Sequence, residues 1–320
     1  MIQSYRGYSS LRSLYLMGRV YRQPGRGSIA PEGRLSRDLV RFFRRLFRRG
    51  ARDQAVLLRL GKKDYRASTD RAGYFRFRID DGDRLPLSSG LNGVSLRLAD
   101  DAEVGEEADI YVAPKRAKYV VISDIDDTVM HTGVANKLMM IWRLFATGAE
   151  SRVAFPGVGN FYRALHAGAD GHEDNPMLYV SRAPWSIYEM LETFFQHNDI
   201  PIGPVLFLRD WGLTLQHPLP HRARAHKFEL IETMLDVYDQ LPFVLIGDSG
   251  QRDPEVYADI VERHPGRIIA VYIRDVSGSS TRTGEIKDLA ATIQRADSEL
   301  ILSDDTEVML SHARKIGLIA

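Results

Sequence analysis

Three aspartates, Asp124, Asp126 and Asp127, fall within four positions directly after the apolar run "YVVIS" (119–123). Adjacent carboxylates repel one another, so the arrangement calls for a counter-charge. A divalent cation is the simplest one, and hard oxygen ligands favour Mg²⁺, which often also takes substrate phosphate oxygens. A second acidic stretch, "LIGDSGQRDP" (245–254), supplies Asp248 and Asp253. Lys227 opens a helical stretch between these segments and could neutralise a phosphate. Together these residue types suit phosphoryl chemistry, because a dianionic phosphate approaches a carboxylate only where cations cancel the repulsion.

Several of these residues have structural readings as well. Asp127 is expected to be a turn or cap residue, and Asp253, ahead of Pro254, could simply cap the helix that follows. His131 and the Arg209-Asp210-Trp211 stretch stand near expected strand ends, where they could contact substrate or be satisfied surface groups. His217, His221 and His226 lie in a Pro/Arg-rich stretch and do not make a zinc set. There are no cysteines, which excludes disulfides and thiolate metal sites.

The elements that must position the acids are legible in the hydrophobic pattern. Apolar runs at 119–123, 177–181, 205–208, 243–247, 268–273 and 299–303 alternate with helical stretches such as "WSIYEMLETFFQHN" (185–198) and "HKFELIETMLDVY" (226–238). Continuous apolar strands alternating with helices predict an α/β domain with a parallel sheet covered on both faces, over 117–320. Ligands of such sheets gather at the carboxyl ends of the strands, where Asp124, Ser181 and Asp248 fall. The insertion "VANKLMMIWRLFATGAESRVAF" (134–155) carries Leu138, Met139, Ile141, Trp142, Leu144 and Phe145. It reads either as a helix packed on the domain or as a flap that covers the site or touches acyl chains.

Residues 1–114 follow a different pattern. Short alternating segments, "LYLMGRVY", "QAVLLRL", "YRAST", "GYFRFRI", "VSLRLA" and "DIYVA", separated by turn residues, predict a small β-sandwich, with "APKRAK" (113–118) as the boundary. Within it, residues 36–50 have helical period. Leu39, Phe42, Phe43, Leu46 and Phe47 take one face, and Arg41, Arg44, Arg45, Arg48 and Arg49 the other, with Ser36 as N-cap and Gly50 as stop. Met1–Arg52 holds 13 arginines against two acids, Glu32 and Asp38, a balance of +11 in a chain whose total is +1. Arginine forks phosphates bidentately, so an anionic partner is expected. Arg44, Arg45, Arg48, Arg49, Phe43 and Phe47 are the expected contacts of an interfacial membrane helix; the other reading packs the Phe/Leu face on the β-domain. No nucleic-acid recognition motif accompanies the charge. No window approaches 18 uninterrupted apolar residues and no signal-peptide pattern opens the chain, so a cytoplasmic location is expected, peripheral at a membrane surface if the helix docks.

The ordered motifs resemble the haloacid dehalogenase superfamily of phosphotransferases. Asp124-Ile125-Asp126-Asp127-Thr128 matches its Asp-x-Asp-x-Thr motif, Ser181 after "LYV" the second, Lys227 the third, and Gly247-Asp248-Ser249 with Asp253 the fourth. More narrowly, "SDIDDTVMHTGV", "FPGV", "YVSRAPW", "GPVLFLRDWG", "HK" and "GDSGQRDPEVYADIVERHPGRIIAVYIRDV" look like the actin-patch-protein-type phosphatidate phosphatase catalytic domain, a relative of the lipin catalytic domain. The resemblance covers most of 117–320 and implies a Rossmann-like parallel-sheet phosphatase domain. It further implies Asp124 as the nucleophile that becomes an aspartyl-phosphate, Asp126 as acid and then base, Thr128 and Ser181 as ligands of the phosphoryl oxygens, and Lys227 as charge balance. Mg²⁺ would sit on Asp124, the Asp126 backbone carbonyl and Asp248, with Asp253 on the ion or just behind its ligands. Arg182 stands where a small or amide residue is expected, and joins His131, Arg209 and Trp142 as expected substrate contacts. The implied substrate is phosphatidic acid or a related phosphomonoester. The rival readings are a phosphatase for a small soluble phosphomonoester and a lipid-binding module that has kept the fold.

Overall fold

The computed structural model describes residues 1–22, 49–80, 82, 84–101, 103–125, 128, 155–181, 188–207 and 220–320. The chain divides into two compact units, Met1–Ala113 and Pro114–Ala320.

The first unit is built from eight strands: β1 (Ile2–Ser4), β2 (Gly7–Ser9), β3 (Ser13–Val20), β4 (Ala55–Leu60), β5 (Lys63–Ser68), β6 (Tyr74–Asp80), β7 (Gly90–Leu98) and β8 (Gly105–Val112). Their hydrogen bonds run as β1-β3-β2-β8-β7-β4-β5, with β6 on the other edge of β3. Period-2 patterning sets the faces. In β6, Phe75, Phe77 and Ile79 are buried while Arg76, Arg78 and Asp80 are exposed. The buried set joins Leu14, Leu16, Val56, Leu58, Leu96 and Ile110 in one core. β5 and β6, at opposite ends of the pairing path, pack against each other, so the sheet curls over this core. The expected β-rich unit is present as one continuous curled sheet, and the pairing does not mark out the two facing sheets of a sandwich. β1 and β2 were not foreseen, because three-residue strands are too short to display an alternation. The expected basic helix lies almost entirely outside the described residues, and with it Arg44, Arg45, Arg48, Phe43 and Phe47. Arg49 is described and exposed, and its carbonyl accepts the Arg22 N–H at 3.1 Å.

The second unit has six strands, β9 (Val120–Asp124), β10 (Met177–Ser181), β11 (Val205–Phe207), β12 (Phe243–Asp248), β13 (Ile268–Arg274) and β14 (Glu299–Ser303). All pair in parallel, in the order β11-β10-β9-β12-β13-β14. Every residue of β9, β10 and β12 is buried, which is why these runs read as continuously apolar rather than alternating. The described helices are α1 (Val158–Ala167), α2 (Tyr188–His197), α3 (Pro220–Val237), α4 (Asp253–Arg263), α5 (Ser280–Gln294) and α6 (Thr306–Lys315). In sequence terms the strand order is 3-2-1-4-5-6. The order reverses between β9 and β12, and a doubly wound sheet opens a crevice at the carboxyl ends of such a strand pair.

Candidate active site

Both acidic stretches end at that crevice. β9 closes on Asp124 and its neighbour β12 on Asp248, held in register through Ile246 opposite Ser123. After β12 the chain turns through Ser249–Arg252 and enters α4 at Asp253, with Pro254 in the first turn, where its missing N–H costs nothing. This turn brings Asp253 back over the end of its own strand. Its Oδ2 accepts the Asp248 backbone N–H at 3.2 Å. The approach needs Gly247, because a Cβ there would collide with Asp253 Oδ2 and stand 2.7 Å from Asp253 Cβ and 2.8 Å from Tyr257 Cε2. The capping alternative for Asp253 does not hold. The N-cap is Arg252, without a side-chain cap bond, and the Asp253 carboxylate faces the site instead.

Lys227, from α3, closes the constellation. Its Nζ lies 2.7 Å from Asp124 Oδ1 and 2.5 Å from Asp253 Oδ1. Asp124 and Asp248 are 0% exposed, Asp253 2% and Lys227 4%, so water screens these charges little. Burial by itself pushes the Lys227 pKa down, but the charges and hydrogen bonds of Asp124 and Asp253 outweigh it and hold the ammonium above its ordinary range. The Tyr257 ring lies beneath this cation, 5.6 Å from Nζ to its centroid, and its hydroxyl donates to the Ile246 carbonyl at 2.9 Å. Burial first, then the charges of Asp253, Asp124 and Asp248, drive the Tyr257 pKa well up, so this phenol stays a neutral donor. Behind the Asp124 carboxylate, Ser123 Oγ donates to the Asp124 carbonyl at 2.8 Å and lies 2.5 Å from the Tyr162 hydroxyl.

Asp124, Asp248 and Asp253 bring carboxylate oxygens within 4.8 Å of one another. Three buried carboxylates against one buried ammonium leave an excess of negative charge, which low-dielectric surroundings penalise unless a cation joins them. Hard oxygen donors at this spacing fit Mg²⁺. A further bond braces the cluster from the connecting turn: the Gln251 N–H donates to Asp248 Oδ1 at 2.9 Å, while its side-chain amide stands 3.5 Å from Asp124 Oδ2.

The two motif hydroxyls are both buried. Ser181 ends β10, one residue beyond the register partner of Asp124, and is buried. Thr128 is 1% exposed, and its Oγ1 has no hydrogen-bond partner among the described residues. Asp126, Asp127, His131, Trp142, Arg182 and Arg209 lie outside the described residues, as does most of the 134–155 insertion. Nothing in the local sequence pattern singles out Gln251, Tyr257 or Tyr162. What assigns them to the site is the crossing of β9 and β12 with α1, α3 and α4.

Comparison with known proteins places this segment. Residues 119–275 match the family model of the phosphatidate phosphatase APP1 catalytic domain. Phosphatidate phosphatase APP1 of Saccharomyces cerevisiae is 33% identical over 160 residues, 50% of this chain and 26% of that protein. An uncharacterised protein of Schizosaccharomyces pombe is 29% identical over 157 residues, 49% of this chain and 25% of that protein. The chain thus spans about a quarter of the length of these curated relatives. Among solved structures, a carbohydrate acetylesterase from Xanthomonas citri overlays with a TM-score of 0.27 at 8% identity, covering 93% of this chain and 66% of that one, an overlap too low to bear on fold or function. The motif order, the buried acidic cluster and the family match agree: residues 119–275 are similar to the phosphatidate phosphatase APP1 catalytic domain.

Proposed function

We propose that the protein is a Mg²⁺-dependent phosphomonoester hydrolase of the haloacid dehalogenase type, with phosphatidic acid as substrate and diacylglycerol and phosphate as products. The observation that carries this reading is the buried Asp124–Lys227–Asp253 ion-pair set beside Asp248, at the strand switch point of a segment that matches the family.

The chain's own residues divide the work. Asp124 attacks phosphorus, forming a P–O bond to its carboxylate as the bond to the lipid oxygen breaks. Asp126, two residues on, gives its proton to the leaving alkoxide and then takes one from the water that cleaves the aspartyl-phosphate. Lys227 stays cationic and offsets the charge of the nucleophile and of the incoming phosphate. Thr128 brings a buried hydroxyl with hydrogen-bonding capacity to spare, suited to a phosphoryl oxygen, and Ser181 approaches from the neighbouring strand. Asp124, Asp248 and Asp253 would hold Mg²⁺, with the Asp126 carbonyl as a further ligand. When bound, the ion supplies positive charge against the phosphoryl oxygens.

Phosphate release from phosphatidate in mixed micelles, with and without EDTA, tests the reading, with Asp124→Asn as control. Mg²⁺-dependent release that Asp124→Asn abolishes supports it. Release confined to water-soluble monoesters points to the soluble-substrate alternative, and none from either class points to a lipid-binding module. The arginine-rich 36–50 segment would hold a cytoplasmic enzyme to an anionic lipid surface, at about 1 kcal/mol per basic residue. Charge reversal of Arg44, Arg45, Arg48 and Arg49 to Glu should then lower activity on anionic vesicles and leave soluble-ester hydrolysis unchanged; equal loss on both removes the segment from this role.

A further inference from the structure

The turn between Asp248 and α4 is held from outside the matched segment. Arg282, in the first turn of α5, donates from Nε to the Ser249 carbonyl at 2.9 Å and from Nη2 to the Gln251 carbonyl at 2.8 Å. The same guanidinium forks Glu255 of α4, with Nη1 2.6 Å from Oε1 and Nη2 2.9 Å from Oε2. Its own backbone is pinned, since the Arg282 N–H donates to the N-cap Ser279 Oγ at 3.3 Å. On the other side of the turn, Ser249 Oγ donates to Asp275 Oδ1 at 2.9 Å. Arg282 therefore joins three elements that meet at one turn. That turn presents the Gln251 N–H to Asp248 and the Gln251 amide toward Asp124.

We propose that Arg282 is a positioning residue for the acidic cluster: by tying Ser249, Gln251 and Glu255 together it sets where Asp248 stands relative to Asp124 and Asp253, and so tunes the affinity of the three carboxylates for a divalent cation. This rests on the reading of that cluster as a metal site. The planar fork is essential to the role. A lysine keeps the charge but is a point donor, and it does not span two carbonyls and a carboxylate at once. Groups that orient metal ligands in this way typically contribute roughly 10- to 100-fold in affinity.

The test is a titration of the full chain with Mn²⁺, following free Mn²⁺ by electron paramagnetic resonance, so that no activity is needed. Arg282→Ala is expected to weaken binding roughly 10- to 100-fold, with Arg282→Lys recovering little of it. Arg267→Ala is the matched control. Arg267 also gathers carbonyls, those of Leu235, Tyr238 and Leu241, but at the amino-terminal edge of the sheet, and its loss is expected to leave Mn²⁺ affinity at the wild-type value. Folded Arg282 variants that bind Mn²⁺ like the wild type overturn the proposal, and so does an equal weakening by Arg267→Ala, which would mean general loosening. If Arg282→Ala does not fold, Arg282→Lys and Glu255→Gln, each removing the fork, carry the same expectation. Asp248→Asn separates the two levels: a wild type that binds no Mn²⁺, or binds it equally with Asp248→Asn, overturns the metal-site reading and the inference with it. A site sensitive to Asp248→Asn but indifferent to Arg282 overturns the inference alone.

Discussion

Lys227 Nζ lies 2.5 Å from Asp253 Oδ1 inside the protein, and the same ammonium reaches Asp124 Oδ1 at 2.7 Å. One cation thus joins the residue that ends β9 to the residue that opens α4. The pair is buried, so neither charge can fall back on water if the other is removed.

Lys227→Met should therefore destabilise the protein by about 3–5 kcal/mol, read from urea unfolding in EDTA, because it leaves buried carboxylates uncompensated. Added Mg²⁺ should return part of the loss. The pH dependence follows from the raised Lys227 pKa. A raised folded-state pKa gives a contribution that is complete below the unfolded value of about 10.4 and is lost only as pH rises through the higher folded one. The gap between wild type and variant should not shrink between about pH 7 and pH 9. A gap that closes over this range would contradict the charged-lysine assignment.

Gly247→Ala places a methyl against Asp253 Oδ2, with Tyr257 Cε2 2.8 Å away. Both neighbours are fixed by bonds of their own, to Lys227 and to the Ile246 carbonyl. The variant should lose about 1–3 kcal/mol of stability through overpacking. Displacing Asp253 should also lower kcat/KM for phosphatidate by roughly a hundredfold, as expected for a misplacement near 1 Å. Unchanged kinetics would show that Asp253 can shift without harm.

Glu255→Gln tests the Arg282 fork by acid titration. Burial alone would raise the Glu255 pKa, but the hydrogen bonds and charge of Arg282 outweigh it and hold the carboxyl below its ordinary 4.5. The folded state then binds fewer protons than the unfolded state in this range, so the contribution is present above about pH 4.5 and fades as pH falls through the lower folded value. Urea midpoints for wild type and Glu255→Gln should differ most at neutral pH and converge on acidification. A difference that persists undiminished at about pH 3 rules out the ion pair as its source.

Much of this was readable along the chain. The central strands β9, β10 and β12 announce themselves because each is buried throughout and so is continuously apolar. β6 shows its buried Phe75, Phe77 and Ile79 by alternation, because one of its faces meets solvent. β1 and β2, at three residues each, carry too little pattern to be seen. The motif acids were legible because their spacing is local: Asp124 and Asp248 follow apolar runs directly. Arg282 was not. It sits in a helix whose apolar stripe is weak, with Ile286 and Ile293 its buried residues, and nothing nearby in sequence marks it as the holder of a turn more than 30 positions earlier.

The amino-acid sequence by itself determined the alternation of strands and helices, the change of character near residue 114, and the placement of carboxylates at strand ends. Those properties depend on side-chain period and on neighbours a few positions apart. Only the tertiary structure decided that the first sheet curls as one piece, that the strand order reverses between β9 and β12, and that Asp253 faces Lys227 rather than capping its helix. Lys227 and Asp124 are 103 residues apart in the chain. What brings them to 2.7 Å is the order in which buried strands pair and the helix that crosses them, a choice made by the packing of the whole domain and by no segment alone.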